Sequence, residues 1–365
     1  MEKCKEKYGV SKFSNINAIT CYMNSILHIL QHAPIFIEYI TQAKFRNNII
    51  KKIEEHKESN KEKLLSDFVI FELFKLFKIS HENEDETYRP ISFKNIIGTK
   101  NPIWNELNQQ DSQEFCNFLL AQLEEEVGIK SEFIGGLFEK EYPNDNIQII
   151  LNNIIANKIS MDSLAKDFSP LKRLFSGTYE NNKICDYCNN KSMRYESFIT
   201  LQLSIDNCNN IYQCFDKFIS EEELDYNNTY MCDLCNIKNK GQSFSYLWRT
   251  PKILILHLKR FIFNNHGEVI KKNTDNIDYP IRNLDLSKYF NPISPYKNSS
   301  KYDLFGINIH QAIGCRTNTH IGHYVSVIKN INNYNWYLYN DDAEVLKVDD
   351  LQTSNAYMLF YYRFD

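Results

Sequence analysis

Two cysteine pairs, Cys185-Asp186-Tyr187-Cys188 and Cys232-Asp233-Leu234-Cys235, constrain the fold of this chain more than any other feature. Two residues between the thiols of a pair let both sulfurs turn toward one ion, and two pairs complete a closed tetrahedral Cys4 zinc site. Segments well separated in sequence must then meet at one point. A redox CxxC usually occurs singly in a thioredoxin-like βαβ context, and that context is missing here. With four thiolates and no open position, the expected zinc is structural. Cys208 and Cys214 lie between the pairs and could substitute for one of the ligands.

A chain of 365 residues can bury a large core. The Ile/Leu runs are all broken by Asn, Lys or Asp, so no membrane span is expected. The run from Met1 to Lys7 is charged and lacks the apolar core of a signal peptide. An intracellular setting, cytoplasm or nucleus, is the expectation. In a reducing compartment ten cysteines should serve as thiols, metal ligands or a nucleophile rather than as disulfides. A net charge of −4 offers no footprint for nucleic acid and weakly suits a basic protein partner.

Residues 21–125 read as mostly helical. The dense apolar pattern from Lys63 to Phe77 predicts a deeply buried helix, and Gln113 to Leu123 predicts another, with Phe115, Phe118, Leu119 and Leu123 on one side. The pattern weakens between Gly128 and Pro170, with 144–157 resembling a variable insert. From Phe175 onward strands dominate: 198–205, 253–258, 302–309, 324–328 and 336–339. Helices first and strands later, without a long linker, predict one interlocked α+β domain over 1–365.

The run Thr20-Cys21-Tyr22-Met23-Asn24-Ser25 places a cysteine at the start of a predicted helix, with Met23, Ile26, Leu27 and Leu30 on one apolar face. Backbone N–H groups and the helix dipole favour thiolate there, as a nucleophile requires. Such a nucleophile needs an imidazole to take its proton and a third side chain to hold the ring. His323 follows Gly322, which permits a close turn, and opens the strand Tyr324 to Ile328. The strand Trp336-Tyr337-Leu338-Tyr339 can pair with it and ends in Asn340-Asp341-Asp342. Asn340 can accept from the imidazole, giving the Cys-His-Asn arrangement of papain. Neighbouring strand residues face opposite ways, so Asp341 is expected to reach the site only by turning back, through water.

These residues resemble the boxes of the ubiquitin-specific proteases, papain-like cysteine proteases that remove ubiquitin. The likeness runs in order through the cysteine box, Gln109-Gln110-Asp111-Ser112-Gln113-Glu114-Phe115, Phe175-Ser176-Gly177, Glu196-Ser197-Phe198, His257-Leu258-Lys259-Arg260-Phe261, Tyr302-Asp303-Leu304, Gly322-His323-Tyr324 and Leu359 to Tyr362. It implies a helical thumb over about 10–130, zinc-ribbon fingers over about 175–250, and a β palm in the remainder. It further implies a monomeric ubiquitinyl hydrolase that cleaves isopeptide bonds at the C-terminal glycine of ubiquitin. Asp111 and Glu114 would meet the basic tail of that substrate.

One departure stands out. The oxyanion-stabilising Asn that the family carries five residues before its cysteine is Ile16 here, flanked by Asn15 and Asn17, either of which a shifted loop could bring to the site. A missing donor would lower the rate about 10²–10³-fold without abolishing chemistry. Two other readings remain: a catalytically weak ubiquitin-binding module, and a protease for another ubiquitin-like modifier.

Overall fold

The helix Cys21–Leu30 buries all ten of its residues, so it runs through the core rather than across a surface. The computed structural model describes residues 11–41, 47, 50–51, 65–83, 86–128, 170–225, 228–264, 266–312 and 322–363. The expected insert at 144–157 lies outside these residues.

The chain forms two units, each assembled from separate segments: Met1–Val127, His257–Thr274 and Leu304–Phe360 in the first, Gly128–Leu256, Asp275–Asp303 and Tyr361–Asp365 in the second. In the first unit the central helix is accompanied by Pro34–Thr41, Val69–Glu82, Ile91–Lys100 and Ser112–Val127. The expected helix over 63–77 begins only at Val69, because Phe68 is extended. Its opening N–H groups, on Val69 and Ile70, donate to the two carboxylate oxygens of Glu126 at 3.0 and 2.9 Å. A carboxylate from another helix thus replaces the local cap that Phe68 cannot provide. Burial raises the pKa of Glu126, against the pull of these N–H groups and of Lys100.

The strands that lie wholly or mostly in this unit run, from one edge, Leu346–Val348, Trp336–Tyr339, Gly322–Lys329, Lys301–Ala312 and Ala356–Tyr362. The register sets Gln311 opposite His323 and Ser326 opposite Tyr339. The central helix packs on the strand Gly322–Lys329. A Cβ on Gly306 would lie 2.8 Å from Ile29, so glycine is what lets helix and sheet approach there.

The second unit is built on an antiparallel four-stranded sheet, ordered Lys191–Phe198, Gly177–Cys185, Gly241–Arg249 and Glu222–Leu224. The single alternating strand expected over 198–205 is broken at Ile199, and Thr200–Ser204 is a separate strand. The helix Ile211–Ile219, which the alternation reading missed, is capped by Asn210, whose side chain accepts from the N–H of Gln213 at 3.0 Å. Buried Glu180 is satisfied by the Tyr195 hydroxyl and the amides of Asn182 and Asn291. Among the described residues no helix is long and apolar enough to cross a membrane.

Candidate functional site

Cys21 is the first residue of its helix and is almost wholly buried. Burial pushes its thiol up to about 11, outweighing the backbone N–H groups of Tyr324, Tyr22 and Cys21 that favour thiolate; the negative charge of Asp341 adds to the rise. The helix start therefore contributes as expected, but the resting thiol keeps its proton at neutral pH.

His323 lies on the adjacent strand, and its Nε2 is 2.6 Å from Oδ1 of Asn340. A carbonyl oxygen only accepts, so Nε2 carries the hydrogen and Nδ1 is left as the basic nitrogen. Asp341 approaches the same Nε2, with its Oδ2 at 3.7 Å. Regular strand alternation would forbid this, yet Asp341 has a left-handed backbone, φ 48°, just past the end of Trp336–Tyr339. The turn brings the carboxylate within ion-pair range of the ring. Asp341 is 7% exposed, and burial raises its pKa against the opposing effects of Asn24, His323 and Asn15, while Asp342 adds to the rise.

Asn15 points toward this carboxylate. Its Nδ2 donates to Oδ2 of Asp341 at 2.8 Å, and its Oδ1 accepts from the N–H of Thr20 at 2.7 Å. Asn17 is exposed in the turn Ile16–Ala18, where Asn17 and Ala18 both adopt positive φ. Asn24, absent from the sequence reading of the site, donates to Oδ1 of Asp341 at 2.7 Å. Its spacing was the available signal: a residue three past Cys21 shares that face of the helix.

Asp111 caps Ser112–Val127, its Oδ1 accepting from the N–H groups of Gln113 and Glu114. Its Oδ2 accepts from the hydroxyls of Tyr324, at 3.1 Å, and Tyr357, at 2.6 Å. The Gln-Gln-Asp box thus meets the histidine box twice, since Gln109 Oε1 also accepts from the N–H of Gly322. Glu114 is exposed in the first turn of the same helix. Gly322 belongs to a strand rather than a turn, and its reason is space. A Cβ there would lie 2.1 Å from Nε2 of His310, whose ring is fully buried against Phe261, Tyr324 and Tyr357. His310 is therefore a core residue.

In the second unit the sulfurs of Cys185, Cys188, Cys232 and Cys235 lie within 4.8 Å of one another and could hold a metal ion. The distances Cys185–Cys235 and Cys188–Cys232 are 3.9 and 3.6 Å. A tetrahedron with metal–sulfur bonds of about 2.3 Å has edges of roughly 3.8 Å. The two turns share one geometry: Asn189 N–H returns to Cys185 O and Asn236 N–H to Cys232 O, with both asparagines left-handed. Backbone N–H groups of Cys235 and Leu234 draw the Cys232 thiol down to about 6. Cys208 and Cys214 lie elsewhere, their thiols against the carbonyls of Asp206 and Asn210.

The family model for ubiquitin carboxyl-terminal hydrolase matches residues 12–361. Ubiquitin carboxyl-terminal hydrolase 4 of Saccharomyces cerevisiae is 28% identical, over 94% of this chain and 38% of its own length, so the chain spans well under half of that relative. Ubiquitin carboxyl-terminal hydrolase 4 of Arabidopsis thaliana is 26% identical over 95% of this chain and 87% of its own, and ubiquitin carboxyl-terminal hydrolase 2 of Homo sapiens 27% over 98% and 56%. The solved SAGA Ubp8/Sgf11/Sus1/Sgf73 DUB module bound to ubiquitin aldehyde includes a chain of the same α+β fold, with a TM-score of 0.66 at 23% identity, covering 100% of this chain and 71% of that one. A signature that fills the chain, on a fold that sets a cysteine at a helix start and a histidine on the strand beside it, leads to one assignment: the chain belongs to the ubiquitin carboxyl-terminal hydrolase family.

Proposed function

We propose that this chain is a thiol-dependent deubiquitinase that hydrolyses the isopeptide bond between the C-terminal glycine of ubiquitin and a lysine side chain. The observation that carries the reading is the 2.6 Å contact of His323 Nε2 with Asn340, which fixes the tautomer a general base requires. Nδ1 takes the Cys21 proton as sulfur attacks the glycine carbonyl. The imidazolium then returns the proton to the leaving lysine amine as the C–N bond breaks, leaving a thioester. Water, activated by the same nitrogen, releases ubiquitin and regenerates the thiol. A thiol held near 11 favours deprotonation concerted with attack over a standing ion pair. Asn340 orients the ring and Asp341 stabilises its cationic form. The N–H of Cys21 contributes to the oxyanion site, joined by Asn15 where it leaves Asp341, or by Asn17.

Asp111 and Glu114 are proposed to line the route of the substrate tail, Glu114 meeting its basic side chains and Asp111 shaping the channel through Tyr324 and Tyr357. We assign zinc to the four-cysteine cluster, as a structural ion of one catalytic domain comprising thumb, palm and fingers. When bound, it would tie the two knuckles together and supply no step of the hydrolysis. Ubiquitin, or proteins carrying it, is the proposed partner of a monomeric enzyme in the cytoplasm or nucleus. A ubiquitin-derived electrophilic probe tests the reading. A covalent adduct lost in Cys21→Ala supports it; binding without an adduct would indicate a ubiquitin-binding module, and no reaction would point to another modifier.

A further inference from the structure

Asn24 sits one helical turn beyond Cys21, 1% exposed, and its amide nitrogen reaches three acceptors: Oδ1 of Asp341 at 2.7 Å and the carbonyls of Ser14 and Phe13 at 3.2 and 3.3 Å. We infer that Asn24 is a positioning residue, whose amide fastens the Asp341 carboxylate to the nucleophile's own helix and so holds that carboxylate against His323. The inference rests on the proposed roles of Asp341 and His323.

Three observations point the same way. With acceptors on every side, a flipped amide would set Oδ1 against three oxygens, so the orientation is unambiguous. The shortest contact is the one to a charged acceptor. Oδ1 of Asn24 is itself buried with no donor among the described residues, a costly arrangement that persists while the nitrogen is committed to Asp341. An apolar side chain of similar size would fill the space but leave Oδ1 of Asp341 and the carbonyls of Phe13 and Ser14 without this donor. Of the three, only Asp341 touches the ring of His323.

The carboxylate's surroundings show what the amide does. Asp341 faces His323 from the strand, Cys21 from the helix, Asp342 along the chain, and the neutral amides of Asn15 and Asn24. Among the described residues its one ion-pair contact is His323. Burial favours its neutral form, and each of its oxygens receives one amide donor that favours the charged form. Removing Asn24 strips Oδ1 of that donor. Asp341 should then take up a proton at higher pH and drift from the ring, which loses the charge that stabilises imidazolium.

The test compares Asn24→Ala and the isosteric Asn24→Asp with wild type on a ubiquitin C-terminal fluorogenic substrate. Iodoacetamide alkylation of Cys21 is followed across pH alongside, because it needs no ubiquitin. Asn24→Ala should lose up to about tenfold in kcat, no more than loss of the Asp341 carboxylate itself, while KM stays within about twofold, since Asn24 does not reach the surface. The acid limb of kcat/KM should be displaced in Asn24→Ala, because the carboxylate beside the ring is then held less firmly in its charged form. Asn24→Asp, which fills the same volume but sets a carboxylate against Asp341, should be at least as impaired. Near-wild-type turnover in Asn24→Asp, or an unmoved acid limb in folded Asn24→Ala, overturns the inference. A wild-type enzyme inert toward the ubiquitin substrate would instead defeat the proposed function. The inference would then stand or fall on whether Asn24→Ala displaces the acid inflection of Cys21 alkylation.

Discussion

Cys21 in the first unit and Cys232 in the second receive the same kind of help and end in opposite states. Both sulfurs lie beside backbone N–H groups, yet Cys21 is pushed up to about 11 and Cys232 drawn down to about 6. At Cys232 the N–H groups of Cys235 and Leu234 dominate over desolvation. At Cys21 desolvation dominates over its N–H groups, and a nearby carboxylate reinforces it. Within the cluster Cys232 is drawn down while its neighbours Cys188 and Cys235 are raised. The turn thus favours a thiolate at Cys232, whereas burial holds Cys21 in its protonated form. A helix start alone does not specify a reactive thiolate; its burial has to be weighed as well.

The sharpest way to separate the two thiols is to remove each. Cys21→Ala should lower hydrolysis of a ubiquitin substrate by at least about 10⁴-fold and leave metal content unchanged, as read by turnover assay and elemental analysis. His323→Ala should be comparably severe. Cys188→Ser or Cys232→Ser should do the reverse in kind, lowering bound zinc from about one per chain and destabilising the second unit, because a four-thiolate site contributes its binding free energy to folding. Metal-free wild-type protein, carefully purified and reduced, would contradict the zinc assignment outright.

Smaller effects sharpen the comparison within the first unit. Asn340→Ala should cost about 10²-fold in kcat/KM, or roughly 2.7 kcal/mol, and Asp341→Ala about tenfold. Asp342→Ala should be mild. If Asp342→Ala proved the damaging change, the roles assigned to the two residues before it would be misplaced. Smallest is an acid effect. Burial lowers the pKa of His28 well below its ordinary value and that of His257 to about 4. Below about 6.5 the unfolded chain binds protons that the folded chain refuses, so stability should fall as pH drops through 6.5, with the His257 share levelling off near 4. Thermal melts across that window should show the slope, and His257→Gln should flatten it.

The parts of the site that are local in sequence were legible. A CxxC pair, a cysteine at a helix start and an aromatic strand ending in Asn each carry their chemistry within a few residues. What escaped depends on partners far along the chain. Asn24 and Asn15 acquire meaning only when Asp341 arrives, more than 300 residues later. Val69 begins a helix because Glu126 caps it from another. Gly322 read as a turn residue and proved to be the space required by His310. The pKa of Cys21 depends on burial, which no motif encodes.

The matched geometry of the two cysteine turns has a consequence for how such a surface diversifies. In each turn the cysteines, the returning N–H and the left-handed Asn fix the backbone, and nothing is asked of the third residue's side chain. Tyr187 and Leu234 occupy that position in the two turns and are 70% and 65% exposed. Substitution there should be nearly neutral for folding. Mutational drift can therefore rewrite what these tips present to other molecules while the scaffold beneath them stays constant.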